Sequence, residues 1–244
     1  MKGREGLQLA EERDLHMNSV IEVRQISKYY GTGDVQVRAI DGVSFHIERG
    51  EFTAIVGPSG SGKSTLLNLI GGLDTLSSGK VLLSSSDISG MSGRVLSDFR
   101  RDHIGFIFQS YNLIPVLTAA ENVEYIMLLQ GVNSSERRKR VIEILNRVGI
   151  GDRADRRPGE LSGGQQQRVA VARAMVSKPD IILADEPTAN LDSHTGAALL
   201  DMMKELNERD GMTFVFSTHD PMIMERARRL VRIKDGRIES DEAR

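Results

Sequence analysis

Residues 57–64 read Gly57-Pro58-Ser59-Gly60-Ser61-Gly62-Lys63-Ser64 and match the pattern G-x-x-x-x-G-K-[ST]. Glycines at 57, 60 and 62 remove the Cβ atoms that would keep backbone N–H groups from converging on phosphate oxygens, and Ser59, Ser61 and Thr65 complete the phosphate-facing set. Lys63 adds a point charge for the β and γ phosphates, and Ser64 is the expected magnesium ligand. A glycine turn before a helix is the plain alternative for the same residues. Farther along, Ile181-Ile182-Leu183-Ala184-Asp185-Glu186-Pro187 is an apolar strand ending in two carboxylates. Asp185 would hold magnesium through water, and Glu186 would orient an attacking water and accept its proton. Together the two segments point to a triphosphate and Mg2+ as the ligands.

A third element, Leu161-Ser162-Gly163-Gly164-Gln165-Gln166-Gln167-Arg168, precedes helix-like residues 169–175. A serine and two glycines at a helix start form another anion cradle, although alone they would serve as an ordinary helix entry. The strands that must position these residues are short apolar runs at 21–23, 43–47, 52–56, 104–108, 181–184, 214–216 and 230–233. The later ones lack strict alternation, as strands covered on both faces do, which predicts a mostly parallel α/β sheet. Residues 66–70 fit a helix that stops at Gly71-Gly72. Between about 112 and 161 helix signals dominate: Val141, Ile144, Leu145 and Val148 share one face, with Ser134 or Ser135 as N-cap. The run at 137–140 (Arg-Arg-Lys-Arg) sits beside acidic neighbours on that helix and reads as a solvated face.

Composition narrows the function classes. The 244 residues carry 34 acidic and 32 basic side chains, a net charge of −2, so no case exists for a dedicated nucleic-acid binder. Zero cysteines exclude disulfides and thiolate-bound zinc or iron–sulfur sites. His16, His46, His103 and His194 have no ligand-like spacing. Hydrophobic residues at 39% and charged residues at 27% match ordinary globular usage. No window offers the ~18 consecutive apolar residues of a membrane span. Residues 1–19 mix charges with isolated leucines, lack the apolar segment of a signal peptide, and read as a flexible tail.

The phosphate loop, the LSGGQ segment, LADEP and Ser217-Thr218-His219-Asp220, in that order, make the chain resemble the ATP-binding cassette (ABC) ATPases over roughly residues 20–240. The resemblance implies a phosphate-loop NTPase cassette with a mostly parallel core sheet, an N-terminal antiparallel β part and a helical subdomain. It places one ABC ATPase domain at 20–240, with a RecA-like core at 20–110 and 165–240, the helical subdomain at about 111–164, and a tail at 241–244. Carried over residue by residue, Gln109 matches the glutamine that senses magnesium and links the helical subdomain to the core. Tyr30 matches the aromatic that stacks on adenine, with Tyr29 competing; His219 matches the histidine that contacts the γ-phosphate and positions Glu186. Asp192, in Asn190-Leu191-Asp192, matches a residue that helps complete the opposing site. Cassettes of this family pair head to tail as a homodimer, so Ser162, Gly163, Gly164 and Gln165 would face the ATP held by the other copy's loop.

Within the family the chain is most similar to the lipoprotein-release (LolD-like) and macrolide-efflux (MacB-like) subgroup. The phrases that carry this are Gly71-Gly72-Leu73-Asp74, Ile104-Gly105-Phe106-Ile107-Phe108-Gln109 and Glu186-Pro187-Thr188-Ala189-Asn190-Leu191-Asp192. The implied partner is an integral-membrane permease with a large extracytoplasmic domain (FtsX-like or MacB-like), and the implied place is the cytoplasmic face of the inner membrane. Residues 111–117 would line a groove for the permease's coupling helix. A non-transport ABC ATPase, such as a cell-division regulator or soluble assembly factor, is the alternative.

Overall fold

The computed structural model describes residues 19–31 and 36–244. The expected tail at 1–19 lies outside the described residues apart from Ser19, as do His16 and most of the turn after Tyr30. The chain forms β1 (Ser19–Tyr30), β2 (Val37–Glu48), β3 (Phe52–Val56) and α1 (Lys63–Ile70), with the glycine loop between the last two. Eight residues are too few to hold a helix alone. Burial of Leu66, Leu67, Leu69 and Ile70 anchors α1, at about 1.5–3 kcal/mol for each apolar side chain. Next come β4 (Ser78–Leu83), β5 (Ser86–Asp87), α2 (Gly93–His103) and β6 (Ile104–Ile107). The helical insertion holds α3 (Ala119–Leu129) and α4 (Ser134–Arg147). The remainder is α5 (Gly163–Val176), β7 (Ile181–Asp185), α6 (Ser193–Asp210), β8 (Phe214–Thr218), α7 (Pro221–Arg226), β9 (Arg229–Lys234) and β10 (Arg237–Ala243).

Two sheets result. The larger has the order β10-β9-β3-β8-β7-β6, parallel throughout except for the β9–β10 hairpin. The smaller, β2-β1-β4-β5, is antiparallel. Strands β3, β7 and β8 are buried on both faces. Phe52, Ala54, Ile182, Ala184, Phe214 and Phe216 face a core built with α3–α6, whereas Ile55, Ile181, Leu183 and Val215 face one built with α1 and the antiparallel sheet. That two-sided cover is why these strands read as continuous apolar runs. It also holds the carboxyl ends of β3, β8 and β7 side by side, the edge where ligands bind in parallel α/β sheets.

The structure departs from the sequence reading in four places. Residues 241–243, expected in a tail, complete β10: Asp241, Glu242 and Ala243 pair with Val231, Leu230 and Arg229, and Arg229 Nε donates to Asp241 Oδ1 at 2.7 Å. An acidic edge strand is held there by an arginine rather than by apolar burial, so hydropathy does not announce it. The N-cap of α4 is Asn133, whose Oδ1 accepts from Glu136 N at 3.0 Å, while Ser134 is already helical. The basic run is not wholly solvated either, since Arg137 ties α4 to α3 through Glu124 Oε1 (2.8 Å) and the Val132 carbonyl. Finally, α2, β4 and β5 were not anticipated, because α2 has no fully buried residue and the antiparallel pair begins with exposed polar residues.

Candidate functional site

The loop at 57–64 takes its shape from close backbone contacts that leave no room for side chains. A Cβ on Gly57 would collide with the Ile233 carbonyl of β9, and one on Gly62, at φ 103°, with the Ala39 carbonyl of β2. Behind the loop, Gly236 N donates to Ser61 O at 3.0 Å and Asp41 N donates to Gly236 O at 2.9 Å. Gly62 caps α1 without a side-chain acceptor, so the first amides of the helix keep their hydrogen-bonding capacity and its positive dipole end for an anion. Lys63 is buried, and its Nζ donates to the carbonyls of Gly57 and Pro58 at 2.9 Å each. Ser59, Gly60 and Ser64 are exposed.

Across from the loop, Ser64 Oγ donates to Asp185 Oδ1 at 3.0 Å, joining the start of α1 to the end of β7. Two hard oxygens at that spacing suit a small divalent cation. Among the described residues no group of three or more His, Asp or Glu side chains could hold a metal, so a cation here would draw its other ligands from phosphate and water, as magnesium prefers.

Glu186 sits one residue farther in the left-handed region, at φ 44°, a conformation that costs a non-glycine residue on the order of 1–3 kcal/mol. It is held there by three groups from the end of β8: Glu186 N donates to Ser217 O at 2.9 Å, Thr218 Oγ1 donates to Glu186 Oε2 at 3.0 Å, and His219 Nδ1 lies 2.7 Å from Glu186 Oε1. The Glu186 side chain is 14% exposed and that of His219 72%, so the pair has an enclosed carboxylate and an imidazole open to a ligand. Such a carboxylate, aimed by two side chains, has the geometry of a base for water beside bound phosphate.

Tyr30 is 42% exposed at the end of β1. Its hydroxyl donates to Asp74 Oδ2 at 2.6 Å, and Lys28 Nζ lies 4.8 Å from the ring centroid. Burial, then the Asp74 carboxylate, push the Tyr30 hydroxyl above its ordinary pKa, with Thr65 of α1 as an opposing hydrogen-bond partner. That contact sets Tyr30 beside the loop. Tyr29 is half-buried with the Arg38 guanidinium 5.8 Å from its ring.

A different set gathers around the start of α5. Ser162 and Gln165 close a capping box, with Ser162 N donating to Gln165 Oε1 at 2.9 Å and Gln165 N to Ser162 Oγ at 3.3 Å. A Cβ on Gly163 would press on the Tyr111 hydroxyl and one on Gly164 on the Thr195 methyl, so both glycines are fitted closely against side chains. Asp192 caps α6 by accepting from Thr195 N and Oγ1 at 3.0 and 2.7 Å. Asn190 Nδ2 donates to the Gln109 carbonyl at 2.9 Å. The Gln109 side chain is exposed and forms no hydrogen bond with any described residue. None of Ser162, Gly163, Gly164 or Gln165 hydrogen-bonds to the 57–65 segment among the described residues, so the sequence-predicted site falls into two groups within one chain.

Two contributors escaped the sequence reading. Thr218 was quoted only as part of a motif, yet it orients Glu186 and also accepts from Asp220 N at 2.9 Å. Gln167 is fully buried and donates to the Pro187 carbonyl at 2.7 Å, linking α5 to the turn after Glu186. Its spacing of three, four and seven residues from Ala170, Val171 and Ala174, all on the buried face of α5, is the signal that would have marked it. A cleft of about 590 Å³ opens at the amino ends of the strands, and most of its charges are spent on each other in the pairs Arg49–Asp180, Arg140–Glu136 and Arg147–Asp210.

Comparison with known proteins places this geometry. The ABC transporter family profile matches residues 40–189. An uncharacterized ABC transporter ATP-binding protein of Thermotoga maritima is 50% identical over 93% of this chain and 97% of its own length. The macrolide export ATP-binding/permease protein MacB of Hyphomonas neptunium is 49% identical over 91% of this chain, which spans only 34% of that longer protein. Among solved structures, the dimeric post-hydrolysis state of the ATP-binding cassette MJ0796, bound to ADP and Pi, is 44% identical with a TM-score of 0.84, covering 91% of this chain and 98% of that one. With a family match over more than half its length and a relative half identical along nearly all of it, the chain belongs to the ABC transporter ATP-binding family.

Proposed function

We propose that this ABC ATPase cassette binds and hydrolyses ATP in a head-to-tail homodimer and thereby drives a membrane permease. The observation that carries the reading is the convergence of Lys63, the Ser64–Asp185 pair and the Glu186–Thr218–His219 cluster at the carboxyl ends of three neighbouring strands. Gly57, Ser59, Gly60, Ser61, Gly62 and Thr65 would cradle the phosphates while Lys63 leaves its loop carbonyls to neutralise them. Tyr30, held through its hydroxyl by Asp74, would present its ring to adenine. Ser64, Asp185 and Gln109 would hold the magnesium ion, which when bound offsets phosphate charge. Glu186 takes the proton of the attacking water as His219 and Thr218 fix its carboxylate. The second copy would supply Ser162, Gly163, Gly164, Gln165 and Asp192. The separation of the two groups within one chain, and the dimeric state of the 44% identical cassette, support this division.

Residues 20–110 and 165–240 would then act as the nucleotide-binding core and 111–164 as the helical subdomain that meets the membrane partner. A groove of about 270 Å³, lined by Phe106, Phe108, Ile114, Tyr125 and Ile126, lies between them, with Val116 73% exposed nearby in sequence. Asn112 and Ile114 of the 111–117 segment line it. Among the described residues no helix is long and apolar enough to cross a membrane. We place the cassette at the cytoplasmic face of the inner membrane through a permease with a large extracytoplasmic domain, in the manner of the MacB and FtsX types. The test is capture of tagged Glu186→Gln protein with ATP and magnesium from detergent-solubilised host membranes. A co-purifying permease supports the transporter reading; reproducible recovery of soluble partners only would overturn it.

A further inference from the structure

Arg173, on α5, points two donors at the chain just beyond Gln109. Its Nη2 donates to Tyr111 O at 2.8 Å and its Nη1 donates to Asn112 O. Both acceptors belong to residues in the left-handed region, Tyr111 at φ 60° and Asn112 at φ 50°. Single L-residues visit that region seldom, and two in succession need something to hold them. Among the described residues no carboxylate forms an ion pair with Arg173, and burial pushes its guanidinium below the ordinary arginine range. A half-buried cation without an ion-pair partner among the described residues is a poor way to stabilise a fold, since an apolar side chain of similar volume often does as well or better. What a planar fork of donors does, and an apolar side chain cannot, is fix two neighbouring carbonyls in one orientation.

The same turn is tied at further points. Asn112 N donates to Ser110 O at 2.6 Å and Tyr111 N to Phe108 O at 3.1 Å, while Asn190 grips the Gln109 carbonyl. The Tyr111 hydroxyl lies against Gly163, at the opposite end of the helix that carries Arg173. Residues 109–112 are thus strapped along α5 from its first turn to its last. We infer that Arg173 is a positioning residue for ATP hydrolysis: by locking the left-handed turn at Tyr111 and Asn112 it sets where Gln109 stands relative to Ser64 and Asp185, and makes that placement move with α5. The inference rests on the proposed metal-site role of Gln109.

Arg173→Met keeps the apolar stem and removes both donors; Arg173→Lys keeps a charge and one point of attachment. Both are measured as isolated cassettes without a permease, so loss of a contact to a membrane partner has no readout. Displacing a positioned group by a fraction of its own length costs rate rather than binding, so Arg173→Met should lower kcat about tenfold while ATP affinity in the absence of magnesium stays within about twofold. Half-saturating magnesium should rise several-fold, and Arg173→Lys should fall between Met and the parent. Unchanged kcat and magnesium dependence in a folded variant would overturn the inference, as would a fall in ATP affinity in step with melting temperature, or failure of both variants to fold. Gln109→Ala separates the two readings. If it leaves kcat and magnesium dependence intact, the Gln109 role fails regardless of Arg173. If it lowers them while folded Arg173→Met does not, only the Arg173 inference fails.

Discussion

The glycine loop with its facing carboxylates and the start of α5 are both built from glycine and serine at a helix start, yet they are wired differently. Around the loop, side chains from the ends of two strands and the start of a helix bond to one another, Ser64 to Asp185 and Thr218 and His219 to Glu186, while Lys63 bonds the carbonyls of its own loop. At α5, Ser162 and Gln165 bond only within their own turn, while Gly163 and Gly164 are fitted against Tyr111 and Thr195. In the first region the hydrogen bonds tie one element to another; in the second they close within one turn, which on the proposed reading leaves that turn to a ligand held by the second copy. A shared motif style therefore does not mean a shared job, and the difference is visible in which hydrogen bonds leave the motif.

The comparison breaks most clearly at Glu186. Replacing it by Gln removes the base but keeps the hydrogen-bonding shape, so steady-state hydrolysis should drop at least about 100-fold with ATP affinity retained; phosphate release and nucleotide titration measure the two. Lys63→Ala should weaken ATP binding by about ten- to a hundredfold, read by fluorescent-nucleotide displacement, because the only buried cation of the loop is gone. Ser162→Arg should leave ATP affinity of the single chain unchanged while abolishing hydrolysis. Mixing it with Lys63→Ala protein, both inactive alone, should restore activity through mixed dimers that hold one intact site. No recovery on mixing would mean that the two regions serve the same copy.

Smaller effects sharpen the picture around Tyr30. Tyr30→Ala should raise the ATP Kd several-fold and Tyr30→Phe much less, since stacking needs the ring and not the hydroxyl. Asp74, which holds that hydroxyl, gives the mildest signature. Burial alone would raise its pKa, but hydrogen bonds from Lys28, Tyr30 and the Thr75 amide outweigh this and hold it below the usual carboxylate range. A folded value below the unfolded one, about 3.9, means that the contribution is complete above that pH and is lost as pH falls through the folded value. Urea midpoints should therefore decline less between pH 5 and pH 3 in Asp74→Asn than in the parent.

Much of this was legible in the sequence for a physical reason. Buried parallel strands must be apolar on both faces, so 52–56, 181–184 and 214–216 were found almost to the residue. A phosphate cradle must lack Cβ atoms, so Gly57 and Gly62 announced themselves, as did the carboxylates that end β7. The last three residues of β10, 241–243, read as tail because their anchor is Arg229 rather than a core, and the cap of α4 falls on Asn133 because several adjacent polar residues satisfy the same rule. Gln167 and Thr218 were overlooked because their importance lies in a partner 20 and 32 residues away, which no local pattern encodes.

The bracing of the loop by Gly236 and Ile233 bears on how the protein comes into being. A ribosome delivers residues 57–64 well before 229–236, and contacts between segments so far apart in sequence form late. Until the β9–β10 hairpin emerges and docks, the loop lacks one of its walls. The loop thus gains its full shape only once 229–236 are in place, and ATP, by favouring only the form with that wall docked, would act as a folding ligand from that step on.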